Sequence, residues 1–184
     1  MKVWLQLTIA ALTCIASQAQ GQIVFANKIG TTVDAPVTIT SGNPVQGPGP
    51  GWTAQLNLLD SDGSLIPLTP VSTFRAAGTG AAVIADRYWI SQIVDVPGVP
   101  SGAPVTFVVR AWLTSAGSYE TAIAFASAAQ SAPFTVVLGG GLVPPANPIT
   151  LKAFSATFVP EPSVVAIAAI GAGVLALGSS KRSR

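Results

Sequence analysis

No stretch between Gln22 and Phe158 keeps an i, i+3, i+4 apolar spacing for more than two helical turns. Short runs rich in Val, Ile, Thr and Phe recur instead, each closed by a cluster of Gly, Pro or Ser. With 18 Gly and 15 Pro in 184 residues, the chain meets a helix breaker before most helices could propagate. This is the pattern of antiparallel β structure, and a segment of about 137 residues suits a single domain. The expected class is therefore all-β: one antiparallel β-sandwich-like domain over residues 20–158. Strands are expected at 22–29, 36–40, 53–59, 72–75, 88–94, 105–113, 132–138 and 150–158. The Ala-rich segment 121–130 suits either a short helix or an irregular strand. Segments 42–51 and 139–148 read as flexible connections.

Charge is scarce. Nine Lys and Arg and seven Asp and Glu make 9% of the chain, against about 25% in ordinary soluble domains. High hydrophobicity with so little charge is the reverse of what disorder requires. A polytopic membrane protein is also excluded, because long uncharged apolar runs occur only near the two ends. The net charge of +2 resides there too: Lys2 lies at one end, and Lys181, Arg182 and Arg184 at the other. Between residues 20 and 158, five cations face six anions, so no basic stripe is available for phosphates and nucleic acid is not an expected partner.

The chain has no His, and its single Cys is Cys14. Imidazole acid–base chemistry, Ser-His-Asp and Cys-His nucleophiles, and nearly all zinc, haem and iron–sulfur sites are thereby excluded. No catalytic residue, metal or cofactor is expected.

Residues 1–19 have the layout of a secretory signal peptide. Lys2 supplies the positive start, residues 3–15 the apolar core, and Ala16-Ser17-Gln18-Ala19 small residues at −3 and −1 of a cut after Ala19. A cut after Gly21 is the alternative. The Sec export machinery is the implied partner. Ala11-Leu12-Thr13-Cys14 carries Thr13 where a lipobox needs a smaller residue. With the leader removed, no cysteine remains to form a disulfide.

Residues 159–184 divide into three parts. Val159-Pro160-Glu161-Pro162-Ser163 resists helix formation, since neither proline has an N–H and each biases its predecessor towards extended backbone. Residues 164–177 are a run of Val, Ala, Ile, Leu and Gly, and residues 164–180 are expected to form a transmembrane helix. Lys181, Arg182 and Arg184 then form a basic tail, which favours the cytoplasmic side.

This tripartite segment resembles the PEP-CTERM sorting signal. The resemblance implies handling by an exosortase, a cysteine protease of the inner membrane, after a transient single pass through that membrane. The expected destination is the cell surface or the extracellular matrix. The preceding region also resembles a family of exported PEP-CTERM proteins of no established biochemical activity. Its landmarks are Ile23-Val24-Phe25-Ala26-Asn27, Asp34-Ala35-Pro36-Val37, Val109-Arg110-Ala111-Trp112, Tyr119-Glu120-Thr121-Ala122, and Ser131-Ala132-Pro133-Phe134-Thr135-Val136 ahead of Gly139-Gly140-Gly141. That resemblance implies an extracellular β domain and carries over no catalytic residues.

Three local patterns bear on chemistry. Asp60-Ser61-Asp62-Gly63-Ser64 begins like a calcium loop, but Thr69 stands where an EF-hand needs its bidentate Glu, so a hairpin turn is expected. Asp86, Asp95 and Glu120 are the carboxylates a glycosidase would draw upon, and nothing in their spacing brings two together. Alternation along 105–113 places Val105, Phe107, Val109, Ala111 and Leu113 on one face, with Arg110 and Trp112 on the other. Arg110 and Trp112, with Trp89 and Trp52, are the candidate glycan-binding set, and extracellular polysaccharide the candidate ligand. The competing reading makes these tryptophans packing residues. The primary expectation is an exported envelope or matrix protein with a structural or interaction role; a carbohydrate-binding module is the alternative.

Overall fold

The structure is a computed structural model and describes residues 19–40 and 46–156. The expected leader up to residue 18, Cys14, the sorting motif Val159–Ser163, the apolar run and the basic tail lie outside the described residues.

Two long strands organise the domain. β5 (Trp52–Leu59) and β9 (Pro104–Leu113) pair antiparallel, with Trp52 opposite Leu113 and Leu58 opposite Phe107. Beyond β5, one row is shared by β6 (Leu65–Pro67) and β7 (Ser72–Thr73); beyond β9, one is shared by β10 (Ala128–Gln130) and β11 (Phe134–Val137). A second, antiparallel pair joins β1 (Gln20–Phe25) to β8 (Gln92–Pro100). β2 (Lys28–Ile29) and β3 (Val33–Asp34) form a small hairpin. β4 (Val37–Ile39) pairs with β12 (Phe154–Ala156) in parallel, so the domain is mostly but not wholly antiparallel.

The β5–β9 register explains the core. Phe107, Val109 and Ala111 lie opposite Leu58, Leu56 and Ala54, so both strands turn their apolar sets to the same face. That face packs with Ile23, Phe25, Val94 and Val96 of the β1–β8 pair and with Phe134, Val136 and Leu138 in one continuous core. Burying a side chain such as Phe107 or Leu56 contributes about 1.5–3 kcal/mol. Val37, Leu151 and Ala156 extend the core beneath the parallel pair.

Several expected boundaries move. The strand expected over 22–29 breaks after Phe25, because Asn27 turns inward and is fully buried. The strand expected over 88–94 starts only at Gln92 and continues to Pro100. Pro97 is tolerated there because β8 has β1 as its one named partner strand and needs no N–H on its other edge. Asp95, one residue beyond the expected strand, sits in this strand opposite Gln22, whose Nε2 donates to it at 2.8 Å. Segment 121–130 contains both structures considered for it. Helix α1 (Tyr119–Ala124) is capped by Ser118, whose Oγ accepts from Thr121 N at 3.1 Å, and β10 follows. The Asp60–Ser64 turn closes the β5–β6 hairpin: Gly63 has φ 86°, and Asp62 Oδ1 accepts from Ser64 N at 2.8 Å. Among the described residues, no helix is long and apolar enough to cross a membrane.

Ser131 manages the break between β10 and β11. Pro133 cannot donate to β9, and an extra residue enters the row between the Gln130–Arg110 and Phe134–Phe107 pairs. Ser131 N donates to Val109 O, while Val109 N donates to Ser131 Oγ, both at 2.9 Å. No backbone group of Val109 is left bare.

Candidate functional site

The β5–β9 face turned away from the core carries an unusual polar set. Gln55, Asn57 and Arg110 share it, and Asn57 is only 1% exposed. A buried amide must be hydrogen-bonded to be tolerated, and Asn57 Nδ2 donates to Gln55 O and Val108 O. Gln55 Nε2 reaches Leu68 O at 3.2 Å. These side chains form the floor of a cleft of about 290 Å³. One wall is apolar, made by Leu65, Pro67 and Val71; the other is formed where α1 begins, by Tyr119 and Glu120 over Trp112.

Arg110 is the centre of this cleft. Its guanidinium carbon lies 4.3 Å from the Tyr119 ring centroid, a cation–π contact. Nε donates to Gln130 Oε1 at 3.1 Å, and Nη1 donates to Glu120 Oε1 at 3.0 Å. The guanidinium is thus held on three sides. Its positive charge is matched by Glu120, itself well exposed. Burial pushes the Tyr119 phenol above its ordinary pKa; Arg110 opposes that rise and Glu120 adds to it.

The four residues singled out from sequence do not form one surface. Arg110 and Trp112 do share the outer face, but Arg110 stacks on Tyr119 and not on the indole. Trp112 is 7% exposed and packs edge-on against Tyr119, with centroids 6.4 Å apart. Trp52 lies opposite Leu113 and points into the main core, since its place in the β5 alternation is opposite to that of Thr53, the partner of Trp112. Trp89 is buried between Phe25 and Phe74, and its Nε1 donates to Phe25 O at 3.2 Å. The three tryptophans of the candidate glycan-binding set are buried packing residues, as the competing reading has them. Sequence reasoning missed Tyr119, Glu120, Gln55 and Gln130 as neighbours of Arg110. The available signal was Thr53, Gln55 and Asn57 at alternate positions of a strand whose remaining residues are apolar.

The carboxylates considered for hydrolysis have separate engagements. Asp95 accepts from Gln22, Glu120 from Arg110, and Asp86 Oδ2 from Gly47 N. Among the described residues, no three His, Cys, Asp or Glu side chains are grouped to hold a metal ion.

A second polar assembly is structural. Asn27 Nδ2 donates to Ala35 O and Arg87 O, both at 3.0 Å, and its Oδ1 accepts from Trp89 N at 3.1 Å. Two carbonyls at one end and an N–H at the other fix the amide orientation. Nearby, Asp34 accepts from Lys28 Nζ and from Tyr88 Oη, each at 2.8 Å. The Lys28 hydrogen bond, then that from Tyr88, hold the Asp34 carboxyl below its ordinary range. Burial, then Asp34, raise the Tyr88 phenol.

No known family model matches the chain, and neither a curated protein nor a solved structure shows significant similarity to it.

Proposed function

We propose that the chain is an exported cell-envelope or extracellular-matrix protein, sorted by a PEP-CTERM/exosortase type of system, with a structural or interaction role and no catalysis. The observation that carries this reading is an ordered set of features in one sequence. A Lys-led apolar leader ends at Ala19; Pro160-Glu161-Pro162, an uncharged apolar run and the Lys181–Arg184 cluster follow the domain. β1 begins at Gln20, directly after the proposed cut, so cleavage there leaves the strand whole. A cut after Gly21 would remove two of its paired residues.

The arrangement proposed for the domain is a single β-sandwich between the leader and a transmembrane helix, and its support is the core shared by the six-stranded sheet and the β1–β8 pair. In the membrane-held intermediate, the apolar run presents the Pro-Glu-Pro step at the outer face of the inner membrane. The fixed φ of Pro160 and Pro162 keeps the segment extended for a protease cleft and stops helix propagation. Glu161 is the one charged residue from Ala153 through Ser180 and marks the register of the cut. The cysteine nucleophile belongs to the sorting enzyme, because Cys14 leaves with the leader.

Fractionation of cells with an active exosortase tests this reading. Glu161→Ala, or removal of residues 181–184, should leave full-length protein in the inner membrane while the wild type moves on. Identical distribution of wild type and both variants would remove the basis for sorting.

A further inference from the structure

We propose that the cleft centred on Arg110 is a saccharide-binding site for a hexose unit of an uncharged polysaccharide. This goes beyond the sorting proposal and does not depend on it.

The chemistry of the cleft selects the ligand class. Its floor offers donors and acceptors side by side, from the Arg110 guanidinium and the Gln55 amide, with Asn57 buried beneath them. One wall, from Leu65, Pro67 and Val71, offers only apolar surface. A pyranose has the same division, with hydroxyls around its rim and C–H groups on its faces. A nucleotide or phosphate would need uncompensated positive charge, whereas Glu120 sits 3.0 Å from Arg110 and neutralises it. A purely apolar ligand would cover the partly exposed Arg110 guanidinium without hydrogen-bonding it. The volume of about 290 Å³ is at the lower edge of small-molecule sites, which suits one sugar ring of a longer chain.

Preorganisation strengthens the assignment. Arg110 is held by Gln130, Glu120 and the Tyr119 ring before any ligand arrives, so little side-chain entropy remains to be lost. Two further clefts among the described residues lack these properties. The one near Gln20 and residues 97–100 contains no charged side chain, and in the one near Gln46 the Asp86 carboxylate is already engaged by Gly47 N.

Titration calorimetry of the full chain in a sugar-free zwitterionic detergent tests the proposal. The probes are maltohexaose, cellohexaose and laminarihexaose, with polygalacturonate as the charged comparison. Saturable binding of at least one neutral hexaose at millimolar concentration is expected, unchanged by added salt. Arg110→Ala should weaken it about tenfold or more, the loss of a hydrogen bond from a charged donor. Arg110→Lys, which keeps the charge but loses the planar fork, should also weaken it, with the far-UV circular dichroism spectrum unchanged. Absence of binding to every neutral hexaose overturns the proposal. Binding of polygalacturonate alone, or undiminished hexaose binding in both Arg110 variants, does so equally.

Discussion

Removing the side-chain amide of Asn27 should destabilise the domain more than its size suggests. Asn27 is fully buried, and its amide satisfies three backbone groups from separate segments: Ala35 O, Arg87 O and Trp89 N. In Asn27→Ala each loses that partner. A buried unsatisfied group costs about 1–3 kcal/mol, and the lower figure applies where water can enter the vacated space. Three groups at the lower figure give about 3 kcal/mol, a large part of the roughly 5–15 kcal/mol that holds a domain folded. For a domain of this size, that corresponds to a fall in Tm on the order of 10 °C. Asn27→Asp keeps the shape but turns a carboxylate oxygen towards two carbonyl oxygens, so at neutral pH it should be worse. Burial and those carbonyls raise the introduced carboxyl's folded-state pKa above its unfolded value. The deficit relative to wild type is then smallest below about pH 4 and widens as pH rises. Urea unfolding followed by tryptophan fluorescence reads both variants, with exposed Asn147→Ala as a control expected within about 0.5 kcal/mol of wild type. Stability of Asn27→Ala within about 0.5 kcal/mol of wild type, or of Asn27→Asp equal to wild type at neutral pH, would refute this reasoning.

Three further outcomes are expected. Trp89→Phe loses the Nε1 donor to Phe25 O and part of a ring packed against Phe25 and Phe74, so equilibrium unfolding should show a loss of about 2 kcal/mol. In Gly139→Ala the new Cβ would overlap the Pro144 carbonyl, forcing residues 139–148 away from β1; a loss of about 1–3 kcal/mol should accompany faster amide exchange at Gln22 and Val24. The lowered pKa of Asp34 means its contribution is present above the unfolded value near 4 and lost as pH falls through the folded value. Asp34→Asn should therefore flatten the acid limb of a Tm-against-pH curve, and an unchanged limb would contradict that assignment.

The legible part of the fold was the part governed by alternation. β5 and β9 each turn one alternating apolar set into the main core, so period-two patterning located them to within a residue and assigned Phe107, Val109 and Ala111 inward. Short strands were less legible, because their limits depend on distant partners. The break after Phe25 depends on Arg87 and Trp89, more than 60 positions away, meeting the Asn27 amide. The parallel β4–β12 pairing joins segments over 110 residues apart and leaves no local trace. The same limit applies to the cleft. Arg110 was singled out for its strand position, but its true ring partner is Tyr119, nine residues on and across a turn. Several landmarks do have physical roles: Asn27 and Ala35 meet in one hydrogen bond, Ser131 bridges a strand break, and Gly139 permits a close backbone approach.

The central claim, that this chain is exported and then separated from its C-terminal segment, is tested most directly by mass spectrometry of the protein from cells with an active exosortase. The mature form should begin at Gln20 and yield no peptide containing Lys181, Arg182 or Arg184. An intact Arg184-containing peptide in the surface or matrix fraction would contradict it.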